Sequence, residues 1–175
     1  MVLAVLESNK KRMTNIIIII AIILCLLLVT ILYNKRREGI KKSIMSFRES
    51  MNLTELPIVT FTNNDKKLNF LLDTGSNMSY INQSVLKDIE YEKNNLYKTD
   101  MIGIEGNKME SEICNIRVSY KEYIFDSEFS ILDMDQAFSI IKKESGVQLH
   151  GILGNKFFQT YKYVLDFDSL TAYMK

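Results

Sequence analysis

One short run carries residue types set out for chemistry: Phe70-Leu-Leu-Asp-Thr-Gly-Ser76. An acid follows directly on apolar, strand-like residues and enters a glycine-containing turn. Asp73 is therefore expected to be half-buried, where a carboxylate answers strongly to its surroundings. Thr74 and Ser76 supply hydroxyls at two-residue spacing, and Gly75 permits close backbone approach. A carboxylate beside hydroxyls is material for general acid–base work. The same residues also build an ordinary turn in which Asp73 caps the backbone. On these residues alone both readings stand.

The remaining chemical side chains offer less. His150 is the lone histidine and sits beside Gly151, with no G-x-S-x-G sequence to pair with it, so it reads as an exposed loop residue. The two cysteines, Cys25 and Cys114, are too few for a disulfide scaffold or a cysteine zinc site. Cys114, near Ile113 and Ile116, reads as a packed strand residue. Gly146 and Gly151 have phosphate-loop spacing, but Ile152 stands where a lysine is required. Asp133, Asp135 and Glu144 match no ligand loop and read as a solvated helix start. Neither a metal nor a cofactor is expected.

The elements that must position Asp73 are disclosed first by charge. The chain of 175 residues has a net charge of +1, which conceals a split. Residues 1–42 carry a balance of +6 and residues 43–175 a balance of −5. A globally basic nucleic-acid binder is excluded on that distribution, so no nucleic-acid partner is expected. Within the basic end, Ile16 to Tyr33 reads IIIIIAIILCLLLVTILY, without a charge. At about 1.5 Å per residue this helix spans roughly 27 Å, close to the hydrocarbon thickness of a bilayer. It is too long for the apolar region of a cleaved leader and lacks a small-x-small end, so an uncleaved anchor touching membrane lipid is expected. Lys10, Lys11 and Arg12 precede it, and Lys35, Arg36, Arg37, Lys41 and Lys42 follow. That bias favours a cytoplasmic C-terminal domain.

Residues 1–15 are thus a tail, 16–33 a transmembrane helix and 34–54 a basic juxtamembrane linker. Ile40, Ile44, Phe47 and Met51 recur at helical spacing in that linker, which fits a short amphipathic helix or a solvated segment near anionic headgroups. From residue 55 the texture is β. Pro57 to Thr62 and Leu68 to Asp73 flank a turn at 63–66 and form a hairpin. Further strands are expected at 80–81, 98–104, 108–116, 117–120 and 123–132, with short helices at 83–89, 135–144 and 156–160. A last hairpin covers 163–167 and 171–174. Many short strands with little helix indicate a closed or sandwiched all-β domain.

Beyond these strands, Ile152-Leu153-Gly154 places an apolar pair before a glycine and a short helix. With Leu71-Leu-Asp-Thr-Gly-Ser76 and the glycine-bearing hairpin around Gly103-Ile104-Glu105-Gly106-Asn107, the chain resembles the retropepsin-like aspartic proteases, single-domain relatives of pepsin. The resemblance covers residues 55–175 in order and implies a closed β-domain. It also implies an aspartic endopeptidase in which two carboxylates share a proton and activate one water. The chain has one D-T-G, so the resemblance implies a homodimer with Asp73 from each copy on a twofold axis. It further implies that Thr74 bonds across the dimer and that Gly75 lies near the water. Ser76 would bond the outer oxygen of Asp73, and residues 103–107 would close as a flap over a peptide or protein substrate. The alternative function is a non-catalytic module of the same fold, holding a partner peptide at the membrane.

Overall fold

The computed structural model describes residues 2–102 and 108–175. The chain divides into two compact units, Met1–Lys42 and Ser43–Lys175.

The first unit belongs to one helix, α1 (Val2–Ser43). Its stretch Asn15–Gly39 is long and apolar enough to cross a membrane. The isoleucines and leucines of this stretch are exposed on every side. Such a helix has no polar face to turn to water, so burial of its apolar surface must come from outside the helix.

In the second unit, β1 (Met45–Ser46) and α2 (Arg48–Thr54) precede the hairpin β2 (Ile58–Asn63) and β3 (Lys66–Leu72). There follow β4 (Ser79–Asn82), a 3-10 turn (Gln83–Asp88), β5 (Glu92–Ile102), β6 (Lys108–Tyr120) and β7 (Tyr123–Leu132). The chain ends with α3 (Asp135–Ser145), β8 (Gly151–Leu153), α4 (Asn155–Thr160), β9 (Tyr163–Asp166) and β10 (Thr171–Met174). Neighbouring strands run β2-β3-β8-β4-β7-β6-β5. A further pairing, Thr62 with Ser119, joins β2 to β6 and closes a barrel of six strands, with β5 outside the ring. The architecture is all-β, with short helices and one preceding apolar helix.

Period-two alternation fills the barrel. Val59 and Phe61 on β2 and Leu68, Phe70 and Leu72 on β3 point inward and are buried. Phe61 is fully buried and meets Phe125 edge-on at 5.2 Å between ring centroids, with Phe157 at 6.0 Å. A smaller cluster on the outer face joins Ile58, Phe138 and Leu149 to Leu71, Ile141 and Ile152, so α3 covers one side of the barrel beside β3 and β8.

Two elements differ from the sequence expectation. The strands expected at 108–116 and 117–120 are one strand, β6, because Ile116 and Val118 continue the buried alternation without a turn residue. The chain turns only at Lys121, which takes a φ of +53°. The linker assigned to 34–54 also extends too far, since the compact unit begins at Ser43. Met45 pairs with Ala172 and Ser46 with Thr171. Phe47 is 1% exposed, donates its N–H to the carbonyl of Leu170 at 3.0 Å and packs against Phe167. Strand β1 thereby becomes the outer strand of a three-stranded sheet, β1-β10-β9.

Candidate active site

Strand β3 delivers Asp73 to the end of the barrel. Its partner β8 runs parallel, pairing Phe70 with Gly151, Leu71 with Ile152 and Leu72 with Leu153. The Asp73 N–H donates to the Leu153 carbonyl at 3.0 Å, extending the ladder to the acid itself. The chain then turns on its own carboxylate. The Gly75 N–H donates to Asp73 Oδ1 at 2.8 Å, and the Ser76 hydroxyl donates to Oδ2 at 2.6 Å. Both oxygens are therefore oriented by donors from the same loop, and hydrogen bonds to a charged acceptor are among the stronger ones. Asp73 is half-buried and Thr74 exposed. A Cβ at Gly75 would stand 3.1 Å from Oδ1, so a larger residue there would press on the carboxylate.

The apolar pair and glycine at 152–154 hold this loop from behind. Gly154 has no room for a side chain: a Cβ would fall 2.2 Å from the Met78 carbonyl oxygen and 2.7 Å from that of Ser76. This contact lets three N–H groups reach the segment after Asp73. Gly154 donates to Ser79 Oγ at 3.2 Å, Asn155 to the Ser76 carbonyl at 2.8 Å and Lys156 to the Asn77 carbonyl at 3.0 Å. The Asn155 side chain adds a fourth bond, from Nδ2 to the Thr74 carbonyl at 2.8 Å.

Asp73, Thr74, Gly75 and Ser76 thus form one cluster with Ile152, Leu153 and Gly154, from a distant part of the sequence. The flap residues Gly103, Ile104, Glu105, Gly106 and Asn107 lie outside the described residues; the hairpin leading to them ends at the pair Ile102 and Lys108.

Two residues of this cluster carry no motif in the sequence. Asn155 follows the glycine as an unremarkable helix start, and only the fold brings it under Thr74. Tyr80 on β4 pairs with Ile152 of β8 and Ser130 of β7 and is half-buried between buried Ser79 and Ile81. Burial raises its phenol pKa above the ordinary value, and the charge of Asp73 raises it further. Tyr80 therefore stands within the field of the acid. Its only signal in the sequence is one polar aromatic alternating with small or aliphatic neighbours in a short strand.

The other candidates serve structure. Asp166 Oδ1 accepts N–H bonds from Asp168 at 3.0 Å and Ser169 at 3.1 Å; the Ser169 bonds, then that from Asp168, hold its pKa below the carboxylate norm, so it caps the β9–β10 turn. Burial pushes the Cys114 thiol up to about 12, which suits a packed residue and not a nucleophile. His150 is not a free loop residue as the sequence suggested. It is half-buried, and its Nδ1 accepts the Asn69 N–H at 2.9 Å, standing in for a backbone acceptor where β8 begins. Burial, then Lys66, lowers its pKa. A groove of about 910 Å³ is lined by Asn63, Tyr91, Arg117 and Asp126 among others and includes none of the Asp73 loop.

Residues 59–157 match the family described as aspartyl protease. The chain belongs to the aspartyl protease family. The match runs from β2 into α4 and so takes in Asp73 and the glycine behind it. Among solved structures, the chain is similar to the EIAV protease complexed with the inhibitor HBY-793. The two share 22% identity at a TM-score of 0.44, over 62% of this chain and 90% of that one. No curated protein matches the chain. Within an aspartyl protease, a carboxylate held by a glycine N–H and a serine hydroxyl on a strand-end turn is the natural place to look for the reacting group.

Proposed function

We propose that the protein is a membrane-anchored aspartic endopeptidase that hydrolyses peptide bonds as a homodimer, with Asp73 of each copy as the catalytic residue. The observation that carries this reading is the Asp73 carboxylate, with each oxygen held by a loop donor at the end of β3. A single carboxylate does not complete the chemistry: one must take a proton from water while another protonates the scissile carbonyl. Within the chain, Asp166 is committed to its turn. A second copy related by a twofold axis supplies the missing acid. Two carboxylates placed together share one proton, and they titrate as a pair. Thr74, an exposed residue of the same loop, faces the partner copy in this reading. Residues 103–107 serve as the flap that excludes water over the bound peptide.

The apolar run Ile16–Tyr33, within the helix Asn15–Gly39, is the anchor, and the basic residues after Tyr33 keep the protease domain on the cytoplasmic side. Two copies confined to one bilayer meet at a raised effective concentration, which favours the dimer.

The test is cleavage of a random decapeptide library by the full chain in detergent micelles, beside Asp73→Asn and Asp73→Ala. The expected result is cleavage by the native chain and a loss of at least a thousandfold in both variants, with unchanged circular dichroism. Cleavage that survives either substitution refutes the mechanism. Purified chain that binds peptides without cutting them would instead make the fold a peptide-holding module.

A further inference from the structure

We propose that Tyr80 and Ser130 form a polar subsite beside Asp73, which selects peptides carrying an asparagine or glutamine side chain about two or three residues from the scissile bond. This rests on the protease reading above.

Strand register sets one row of residues across five strands. Leu71 of β3 pairs with Ile152 of β8, Ile152 with Tyr80 of β4, Tyr80 with Ser130 of β7, and Ser130 with Ile113 of β6. Side chains paired in a ladder share a face of the sheet. Their chain neighbours Leu72, Leu153, Ile81, Phe129 and Cys114 fill the barrel core, so the row lies on the opposite, outer face. Asp73 is two residues beyond Leu71 and shares its face by alternation, about 7 Å further along the strand. The row therefore runs past the acid, and its only polar members are Tyr80 and Ser130.

Ser130 is fully buried, and its Oγ has no hydrogen-bond partner, alone among the buried side-chain polar atoms of the described residues. Buried polar residues nearby are all bonded. Ser79 Oγ accepts the Gly154 N–H, Ser111 Oγ donates to the Glu112 carbonyl and Asn82 Nδ2 donates to Asp135. A buried hydroxyl without a partner is destabilising. On the face that carries the acid, this one is left for a group that the chain itself does not supply. Tyr80 stands beside it on β4, half-buried, and the charge of Asp73 adds to burial in raising its phenol pKa. The two hydroxyl-bearing residues thus lie on adjacent strands, with Tyr80 on the side of the acid. The face is covered in the substrate-free chain and opens as a peptide is admitted, which brings the Ser130 hydroxyl within reach.

Two neutral hydroxyls, each both donor and acceptor, match a primary amide, which offers N–H groups and a carbonyl. Leu71, Ile152 and Ile113 complete the row with apolar surface, and no charged side chain belongs to it. An ion entering there would lose water without gaining a counter-charge, and a carboxylate would also meet the charge of Asp73. An aliphatic side chain would leave both hydroxyls unpaired, which is the discrimination that a hydrogen-bonding site makes best. In the strand order β3-β8-β4-β7, Ser130 is about 14 Å across the sheet from Asp73. An extended peptide at about 3.4 Å per residue, with the reach of its side chain, covers that span in two or three residues. The second copy supplies the same pair on the other side of the bond.

The test gives the random decapeptide library to the full chain in detergent micelles and reads the products by mass spectrometry. Measurements of kcat/KM follow on peptides matched except for asparagine or leucine at the selected position. The expected result is enrichment of asparagine or glutamine about two or three residues from the cut, and an asparagine-over-leucine ratio of at least about tenfold. Ser130→Ala and Tyr80→Phe each lower that ratio about fivefold, the contribution of one neutral hydrogen bond. The urea midpoint of Ser130→Ala stays level or rises, because the lost hydroxyl has no partner within the chain. Asp73-dependent cleavage without amide enrichment, or a ratio unmoved by either variant, overturns this inference alone. A lowered midpoint for Ser130→Ala assigns the hydroxyl to the fold and overturns it as well. If no library peptide is cut in an Asp73-dependent way, the protease reading falls and takes this inference with it.

Discussion

Replacing Gly154 by alanine tests whether the apolar-apolar-glycine element works by contact with the Asp73 loop. The added methyl would sit 2.2 Å from the Met78 carbonyl oxygen, 2.7 Å from its carbonyl carbon and 2.7 Å from the Ser76 carbonyl oxygen. All three are backbone atoms, so no side chain can swing aside. Ordinary contact needs about 3.4 Å, and the β8–α4 junction must retreat from residues 76–78 by about 1 Å. That retreat stretches the N–H bonds from Gly154, Asn155 and Lys156, now 3.2, 2.8 and 3.0 Å long. Losing three such bonds at about 1 kcal/mol each gives a destabilisation of roughly 3 kcal/mol. Gly146 is the internal control. It has a φ of +76° and no atom within 4 Å of its would-be Cβ, so Gly146→Ala carries only backbone strain of about 1 kcal/mol. The assay is urea unfolding of the full chain in detergent, followed by near-ultraviolet circular dichroism of the tyrosines. Gly154→Ala should also lower proteolysis more than stability alone explains, because the acid moves with its loop. A midpoint for Gly154→Ala equal to or above that of Gly146→Ala would refute the contact argument.

Three further outcomes are expected. Asn155→Ala removes the bond to the Thr74 carbonyl, costing about 1 kcal/mol by urea unfolding and lowering kcat more than it raises KM; Asn155→Asp, which cannot donate from that position, should do the same. The His150 pKa is depressed in the folded state by burial and by Lys66, so the folded chain prefers the neutral ring. Its contribution to stability is full above the unfolded value near 6.5 and is lost as pH falls through that value toward the folded one. Protonation at Nδ1 would also break the bond from Asn69, and the fall in unfolding midpoint between pH 7.5 and 5 should shrink in His150→Gln. Cys114, with its thiol raised to about 12, should resist maleimide at pH 7.5 in the native chain and react fully in urea, as read by peptide mass mapping.

Much of the site was legible because its parts are short and local. The turn at Asp73 follows from one acid, one glycine and two hydroxyls in consecutive positions, and in the structure the Gly75 N–H and the Ser76 hydroxyl donate to its two oxygens. The hairpin of β2 and β3 follows from alternation on either side of a polar turn, and α3 from apolar residues at helical spacing. Asn155 and Tyr80 were not legible, because their importance comes from who lies across the barrel. His150 was misread for the same reason: its partner, Asn69, is 81 residues away. Phe47 looked like part of a linker because its neighbours in space, Phe167 and Leu170, belong to the far end of the chain.

The sequence alone determined what is set by composition and short-range pattern: an apolar helix of membrane length, a β-rich domain, and one acid with turn chemistry around it. These are properties of consecutive residues, governed by hydrophobic periodicity and the conformational freedom of glycine. Tertiary structure alone decided what holds that acid. Strand β8 had to return beside β3 for Leu153 to receive the Asp73 N–H and for Gly154 to meet Met78 at backbone distance. It also decided where the folded unit begins, because β1 is stable only as a neighbour of β10, at the opposite end of the chain. Pairings between strands so far apart in the chain depend on barrel closure, which no local window of sequence contains.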